Sequence, residues 1–302
     1  MQPYLPESMQ APTPLDAVTL EQLRRWMEQG AVLTVPALWC DEDHNLHLSL
    51  GGLPAVIPRD RAALGIAEGT VREIAILSRV GKAVCCRIEA IPDHGPIVLS
   101  RTAVQRDALH HLLYERKPGD ILPAVVTNTT AFGVFCDVGC GVPALLPLEN
   151  ISVSRISHGS DRFVVGQELY VVLQRQDLDA GRVTVTLKEL LGTWEENAAR
   201  FQTGQTVPAI VRSIQPYGVF LELTPNLSGL AEADDTLHPG QVVSAYIKAI
   251  LPDRQKIKLS ILDTLDPALL PPPVLRYTQT EGHLEYWEYS PSNARLRTVF
   301  PR

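Results

Sequence analysis

Two pairs of aromatic residues in this 302-residue sequence have the type and spacing best suited to binding a flat ligand. Phe132 and Phe135 flank one Gly-Val dipeptide, and Tyr217 and Phe220 flank another. Aromatic rings that lie side by side on an open sheet can stack on unpaired bases. The same residues would also suit an apolar core, and the local sequence does not decide between these two interpretations.

The glycine within each motif indicates how both rings can reach one face of a sheet. Strict alternation along a strand would place residues three apart on opposite faces. A glycine inside a strand commonly marks a bulge or a close approach of backbones, and a bulge can turn both flanking side chains to the same side. We therefore predict glycine-opened β-hairpins at Gly133 and Gly218.

Both motifs lie inside a longer internal repeat. Residues 119–138 (GDILPAVVTNTTAFGVFCDV) align without a gap with residues 204–223 (GQTVPAIVRSIQPYGVFLEL), at an offset of 85 residues. A match at a fixed offset is the signature of a repeated structural unit. The identical residues of the two copies include Pro123/Pro208, Ala124/Ala209, Val126/Val211, Gly133/Gly218, Val134/Val219 and Phe135/Phe220.

The repeated pattern resembles the RNA-binding domain named after bacterial ribosomal protein S1. Each copy reads Gly-x-x-x-x-Ala-x-Val, then an aromatic-Gly-Val-Phe motif, then Gly-Gln at 166–167 or 240–241, and a closing strand at 183–187 or 256–260. Domains of that family are five-stranded barrels of the OB class. The resemblance therefore implies an RNA-binding barrel around each motif, with the aromatic pair as its stacking platform.

The resemblance implies an all-β chain of three tandem five-stranded OB-type β-barrels, joined by short α-helical linkers and followed by a C-terminal β-hairpin. The run Leu46 to Gly52 (LHLSLGG), with Ile-Pro-Arg at 57–59, resembles the first domains of the family. The compact layout resembles the short form found in clostridia-type bacteria. The expected segments are a disordered leader plus short helix (1–28), a diverged first OB domain (29–102), a linker helix (103–116), a second OB domain (117–190), a linker helix (191–203), a third OB domain (204–264) and a Pro-rich segment with an aromatic hairpin tail (265–302).

Capping signals mark two of the helices. Thr19 followed by Gln22, and Thr193 followed by Glu196, have the spacing of a capping box, in which each terminal residue satisfies a free backbone N–H of the other. In the tail, residues 283–289 and 295–299 are expected to form a hairpin that packs back on the third barrel.

The diverged first copy lacks the Phe-Gly-Val-Phe motif. When Gly51 is set against Gly139, His44 and His47 fall at the positions of Phe132 and Phe135. These histidines either stack on a base or have no contact with RNA. Leading domains of the resembled family often dock the protein on the ribosome, so proteins of the small ribosomal subunit are a second expected partner, bound through the first barrel.

Basic residues are expected at the rim of the platforms, where they would contact phosphates. An insertion rich in Ser, Arg and His lies between strands three and four of the second barrel, and it either grips phosphate or only keeps the loop soluble. The family's late Asp–Arg pair corresponds approximately to Asp177–Arg182 and Asp253–Lys256. The predicted RNA-binding set is Phe132, Phe135, Tyr217, Phe220, Arg155, His158, Arg162, Arg182, Arg212, Lys248 and Lys256.

The overall charge and hydropathy limit the classes of partner. A net charge of −7 argues against tight, sequence-independent binding of duplex DNA, which requires a basic surface. No apolar run approaches the roughly 20 residues of a membrane span. The first 15 residues lack the basic region and apolar core of a signal peptide. We therefore expect a cytoplasmic protein that contacts neither membrane nor duplex DNA.

The sequence offers no convincing metal or catalytic site. Its five cysteines follow no disulfide pattern, and Cys136 and Cys140 form a CxxxC without a second ligand pair, whereas a zinc site needs about four ligands. Buried thiols in a reducing compartment are the better interpretation. No phosphate-binding loop, GxGxxG, HExxH or GxSxG motif occurs. We expect no metal, no cofactor and no enzymatic activity.

The sequence thus predicts a protein that binds single-stranded messenger RNA on its barrel faces, and the resemblance implies a role in translation on the small ribosomal subunit. Two alternatives stay open. The protein could regulate messenger decay or transcription by binding RNA, because the same domain is attached to many machines. It could also be a docking module whose aromatic rings meet another protein.

Overall fold

The computed structural model describes residues 4–16, 18–269, 274–290 and 297–301. The chain is built mainly of strands. In chain order they are β1 Leu33–Pro36, β2 Trp39–Cys40, β3 Leu46–Leu50, β4 Leu53–Ile57, β5 Ala83–Ala90, β6 Ile97–Ser100, β7 Ile121–Thr129, β8 Gly133–Asp137, β9 Pro143–Pro147, β10 Glu168–Asp177, β11 Arg182–Thr186, β12 Thr206–Gln215, β13 Gly218–Thr224, β14 Leu227–Ala231, β15 Val242–Leu251, β16 Lys256–Leu265, β17 Trp287–Glu288 and β18 Val299–Phe300.

The helices are short and lie between or beside the sheets. The α-helices are α1 Leu20–Glu28, α2 Arg59–Ala62, α3 Ile74–Leu77, α4 Arg101–His110, α5 Leu148–Ile151 and α6 Trp194–Ala198. Helix α4 continues as a π-helical turn over His111–Glu115. Single 3₁₀ turns occupy Glu7–Met9, Gly159–Asp161, Lys188–Leu191, Pro252–Arg254 and Pro267–Leu269. Within the described ranges, no helix combines the length and apolar character needed to cross a membrane.

Strands β7–β11 and β12–β16 form two closed five-stranded barrels, as the repeat predicts. The ring order is β10-β11-β9-β8-β7 in the first of these (barrel two) and β12-β13-β14-β16-β15 in the other (barrel three). Alternating side chains decide the inside of each barrel: in β11, Val183 and Val185 are buried while Arg182 is exposed. The expectation of tandem OB-type barrels is confirmed for these two copies.

The first copy (domain one) is a curled six-stranded sheet in the order β1-β5-β6-β4-β3-β2. Its first strand is split: β1 pairs with β5, β2 pairs with β3, and only Ala37 and Leu38 separate β1 from β2. Residues 33–40 therefore border both β3 and β5, as a single first strand does in the two closed barrels. Domain one thus has the same strand succession as the closed barrels, with a break in the strand that closes the ring.

Both predicted helix caps, at Thr19 and at Thr193, are present in the structure. The Thr19 side chain accepts a hydrogen bond from the Gln22 backbone N–H at the start of α1. Both bonds of a capping box are present between Thr193 and Glu196 at the start of α6. A hydroxyl that satisfies a free N–H of the first turn is a local interaction, which is why sequence spacing alone predicts it.

The expectation of a disordered leader is wrong for residues 4–16. Glu7 is buried, and its carboxylate pairs with the guanidinium of Arg101, at 2.6 Å from Oε1 to Nε and 2.8 Å from Oε2 to Nη2. The Glu7 backbone N–H donates to Asp137 Oδ2 at 2.7 Å, and the Cys140 N–H donates to the Leu5 carbonyl at 2.8 Å. The leader therefore joins domain one to barrel two like a clamp, because Arg101 and Asp137, both far from it in the sequence, bind Glu7.

The tail returns to the barrels as expected. Strands β17 and β18 pair antiparallel, and the side chains of Trp287, Tyr289 and Phe300 are buried in the apolar cluster of barrel three. The tail also reaches barrel two, where the Leu284 N–H donates to the Gly119 carbonyl at 2.8 Å. Positions 291–293 of the predicted turn at 290–293, and the start of the predicted second arm at 295–296, lie outside the described residues.

Candidate nucleic-acid interface

The glycine between each pair of aromatics is required by a close approach of two strands. A Cβ at Gly133 would lie 2.5 Å from the Leu146 carbonyl oxygen, and a Cβ at Gly218 would lie 2.4 Å from the Ala231 carbonyl oxygen. Gly218 also has φ +150°. A side chain at either position would collide with backbone of the neighbouring strand, which cannot move aside.

The two aromatic pairs have nearly the same geometry. The ring centroids of Phe132 and Phe135 are 5.9 Å apart with planes at 84°, and those of Tyr217 and Phe220 are 6.2 Å apart at 89°. In each pair the turn residue is exposed, Phe132 by 60% and Tyr217 by 67%, and the strand residue is half-buried. The core interpretation therefore fails for the exposed rings, since each presents most of its surface to solvent beside an edge-on second ring.

Each platform continues sideways across two further strands. In barrel two, Phe135 pairs with Leu145 on β9, and Leu145 pairs in parallel with Thr184 on β11. In barrel three, Phe220 pairs with Leu230 on β14, and Leu230 pairs in parallel with Lys258 on β16. These cross-strand rows are Phe135–Leu145–Thr184 and Phe220–Leu230–Lys258, and both face outward.

Cations line the far end of both rows. Arg182 and Lys256 are exposed at the starts of β11 and β16, two residues before Thr184 and Lys258 and on the same face. Sequence reasoning named Lys258 among the cations that could border the face without including it in the predicted RNA-binding set, and it missed Arg175, which is exposed on β10 opposite Thr184. Strand register is the signal that places both of them, because it shows which β-strand residues share the face of the aromatic pair.

Lys248, another predicted contact, lies on β15 of barrel three. Its ammonium is 2.8 Å from Glu232 Oε1, and both side chains are well exposed to solvent. The hydrogen bond and charge of Lys248 hold the pKa of Glu232 below its ordinary value. An exposed pair of this kind contributes little to stability, so the lysine can exchange the carboxylate for a phosphate at low cost.

Arg162 and Arg212 do not lie at the rim, and their assignment as phosphate contacts is a correction to the sequence interpretation. Both guanidinium groups are buried against the carboxylate of Glu222, with Arg162 Nη1 at 2.6 Å from Oε1 and Arg212 Nε at 2.7 Å from Oε2. Arg162 comes from barrel two, whereas Arg212 and Glu222 belong to barrel three. The reason is the docking of the two barrels, which takes these side chains out of solvent.

The insertion of barrel two is mostly an interdomain contact, which neither sequence interpretation anticipated. The Ser154 and Ser228 hydroxyls are 2.6 Å apart across the interface, and the Val153 N–H donates to Asn226 Oδ1. Arg155 is exposed in this loop, and His158 is half-buried and caps the 3₁₀ turn by accepting from the Ser160 N–H. Of the three insertion residues predicted to bind RNA, only Arg155 and His158 are therefore accessible.

In domain one, a histidine takes the position that a phenylalanine occupies in each closed barrel. His47 pairs with Val56, which pairs in parallel with Val98, so His47 holds the register position of Phe135 and Phe220. Its ring stacks on Trp39, with centroids 3.8 Å apart and planes at 2°. His44 lies in the preceding turn, with Nδ1 3.4 Å from a carboxylate oxygen of Glu73.

The cysteines are placed as buried thiols, apart from the half-buried Cys40. Burial raises the pKa of Cys86 and of Cys136 to about 12, which keeps both protonated. Over the residues that the structure describes, no three His, Cys, Asp or Glu side chains converge in a way that could hold a metal ion.

Comparison with known proteins agrees with the resemblance drawn from the repeat. Residues 115–188, which span barrel two, match the S1 RNA binding domain family. The chain is 27% identical over 202 residues to small ribosomal subunit protein bS1 of Staphylococcus aureus (strain COL), covering 61% of this chain and 51% of that protein. It is 26% identical over 189 residues to bS1 of Rhizobium meliloti (strain 1021), covering 57% and 33%.

A solved structure of a multidomain protein with nucleic acid binding domains from Streptococcus pneumoniae also matches, with 16% identity, 77% of this chain and 73% of that chain covered, and a TM-score of 0.27. The chain spans about half the length of the staphylococcal relatives, and a third of the rhizobial one. Residues 115–188 thus match the S1 RNA binding domain family, in a chain of OB-type barrels that is similar to the bS1 ribosomal proteins over about 60% of its length.

Proposed function

We propose that the chain binds single-stranded RNA without catalysing a reaction, on the platforms of barrels two and three. The observation that carries the proposal is the repeated row of exposed aromatic, leucine and cationic or polar side chains. Rings exposed on a barrel face stack on unpaired bases at about 1–3 kcal/mol per base, with little preference for sequence. Cations at the end of the row would contact the phosphates between those bases.

The distribution of charge supports RNA as the ligand despite the net charge of −7. Arg175, Arg182, Lys256 and Lys258 are exposed on the platform faces, and none of them forms an ion pair with another described residue. Local cations at a stacking surface suffice for a single strand, which is flexible enough to follow them. A duplex would require a broad basic surface.

The cellular process that we propose is recruitment of messenger RNA to the small ribosomal subunit, in the cytoplasm. Its support is the similarity to proteins named small ribosomal subunit protein bS1. A role in messenger decay or transcription would use the same platforms. Co-sedimentation of the chain with small subunits, with and without the platform rings, separates a ribosomal role from these alternatives.

The direct test compares the wild type with a platform-free variant, Phe132→Ala/Phe135→Ala/Tyr217→Ala/Phe220→Ala. Fluorescence anisotropy of a labelled oligouridine measures the affinity, and thermal melting checks the fold. The control is Tyr114→Ala, which removes a ring that is 61% exposed on the linker before barrel two.

We expect the platform-free variant to lose most of its affinity for oligouridine and the control to keep it. Wild-type binding should also weaken steeply with salt, because phosphate contacts release counterions. Equal affinity of the wild type and the platform-free variant, both well folded, would refute the platform assignment. Oligouridine binding that is insensitive to salt would contradict the phosphate contacts of the proposal.

A further inference from the structure

The three domains carry their platform faces in the same register, which allows a position-by-position comparison. The row Phe135–Leu145–Thr184 of barrel two and the row Phe220–Leu230–Lys258 of barrel three correspond to His47–Val56–Val98 in domain one. Each row is defined by one antiparallel and one parallel pairing, so the correspondence does not depend on sequence similarity.

At the corresponding positions of its own face, domain one has no cation. Arg182 and Lys256 stand two residues before the end of their rows, where domain one has Pro96. Lys258 corresponds to Val98, and Arg175, which pairs with the end of the row in barrel two, corresponds to Ala90.

The residue in the bulge of the fourth strand also has the opposite charge in domain one and barrel three. Lys248 occupies this bulge in barrel three, and Glu89 occupies it in domain one. Glu89 pairs with Arg61, and the nearby Arg59 pairs with Glu73, so both of these arginines are already neutralised. The face of domain one therefore offers a phosphate no free cation among the residues just compared.

Acidic residues replace the neutral turn that leads into the platform. The turn before the motif is uncharged at 128–131 in barrel two and at 213–216 in barrel three, whereas domain one has Asp41, Glu42 and Asp43. Asp41 holds the His47 ring, with Oδ2 2.8 Å from Nε2. Glu42 and Asp43 are exposed in the turn that follows Asp41.

A flat aromatic surface is nevertheless kept on this face. The Trp39 ring is 52% exposed and is supported on one side by the parallel ring of His47. The face of an indole attracts a cation, more strongly than the rings of Tyr or Phe do. Carboxylates around an exposed indole strengthen this preference and repel the phosphates of a nucleic acid.

We propose that this acidic face, formed by Trp39, Asp41, Glu42, Asp43 and His47, binds an arginine or lysine side chain presented by a basic protein segment. The cation stacks on the free side of the Trp39 ring while Glu42 and Asp43 accept its N–H groups. The same carboxylates keep RNA from this face by charge. This assignment does not depend on RNA binding by the other two barrels.

The test uses the full chain in the platform-free background, so that barrels two and three offer no aromatic pair. The probe is a short fluorescein-labelled peptide that alternates arginine and glycine, measured by anisotropy. Trp39→Ala should weaken its binding by about two- to fivefold, which corresponds to one cation–π contact of about 0.5–1 kcal/mol at an exposed site. Equal binding by the parent and a well-folded Trp39→Ala chain would overturn the proposal.

The charge contribution is tested with exposed residues that the fold does not need. Glu42→Gln/Asp43→Gln should weaken peptide binding, and the matched control Glu281→Gln/Glu285→Gln, which removes two exposed acids of the tail, should not. Equal losses in both variants would mean that the peptide responds only to net charge, and would refute the site.

RNA is the competing occupant, and a charge reversal separates the two. Glu42→Lys/Asp43→Lys should abolish peptide binding and create affinity for oligouridine in the platform-free chain. If the platform-free parent instead binds oligouridine and Trp39→Ala removes that binding, domain one is a third RNA platform and the proposal is wrong.

Discussion

The carboxylate of Glu222 and the guanidinium of Arg162 form a buried two-bond ion pair, at 2.6 and 2.9 Å, that joins barrel three to barrel two. Arg212 binds the same carboxylate from within barrel three. All three side chains are nearly inaccessible to solvent. Because the pair spans two domains, it is one of the contacts, together with Ser154–Ser228 and Val153–Asn226, that fix the orientation of the two platforms.

Neutralising Glu222 should destabilise the chain strongly. Glu222→Gln leaves the guanidinium groups of Arg162 and Arg212 buried without a counter-charge, and breaking a buried pair in this way costs about 3–5 kcal/mol. Urea unfolding followed by circular dichroism measures the loss. The control is Glu232→Gln, which breaks an exposed pair with Lys248 and should leave the unfolding midpoint nearly unchanged. A similar midpoint for both variants would contradict a stabilising role for the buried pair.

The contribution of Glu222 should disappear in acid. Burial opposes ionisation of this carboxyl, but the hydrogen bonds and charges of Arg162 and Arg212 outweigh burial and lower its pKa from the ordinary 4.5. A carboxyl whose folded-state pKa is depressed stabilises the fold above its unfolded pKa and loses that effect as pH falls through the folded pKa.

The measurement is the difference in unfolding free energy between the wild type and Glu222→Gln as a function of pH. We expect the difference to be constant at neutral pH and to shrink progressively below about pH 4.5. A difference that does not change with acidification would show that the Glu222 carboxylate is not held ionised by its two arginines.

Neutralising Glu7 in the leader clamp should lower the free energy of unfolding about as much as neutralising Glu222. In Glu7→Gln the buried Arg101 side chain keeps the Ala62 carbonyl and one amide oxygen as acceptors, but it loses the second carboxylate oxygen and its counter-charge. We expect a loss of about 3–5 kcal/mol in unfolding free energy. Hydrogen exchange at the Cys140 amide, which donates to the Leu5 carbonyl, should accelerate as the leader detaches.

The matched control for the leader is Glu21→Gln, which removes an exposed helix pair with Arg25. It should change neither the unfolding curve nor the exchange of the Cys140 amide. If Glu7→Gln behaves like this control, the leader is not fastened through its carboxylate.

Lys258 should contribute to RNA affinity through charge alone. Lys258→Ala should weaken oligouridine binding and reduce the slope of log K against log salt concentration by about 0.7, the value for one lost phosphate contact on a single strand. The reason is its position at the end of the row Phe220–Leu230–Lys258. Lys117→Ala, which removes an exposed lysine before barrel two, should leave the slope unchanged.

Strand register explains why the sequence located the aromatic rings but not all of their neighbours. The motif around Gly133 and Gly218 is contiguous, so its hairpin and the spacing of its rings follow from local residues. Lys258 and Arg175 reach the platform faces across three or four strands, and only the pairing of those strands decides which exposed cation stands in line with the rings.

The sequence by itself determined the repeat, the caps at Thr19 and Thr193 and the spacing of the aromatic pairs, because each can be read from the order of residues along the chain. The two closed barrels followed from the family that the repeat resembles, and the exposure of the rings from the structure. Only the tertiary structure decided where the charged side chains lie and which groups they bind. Arg162 was drawn into the interface and Glu7 into the clamp by partners 60 and 94 residues away. The element that packs against a charged side chain determines where that side chain lies, and the residues next to it in the sequence do not identify that element.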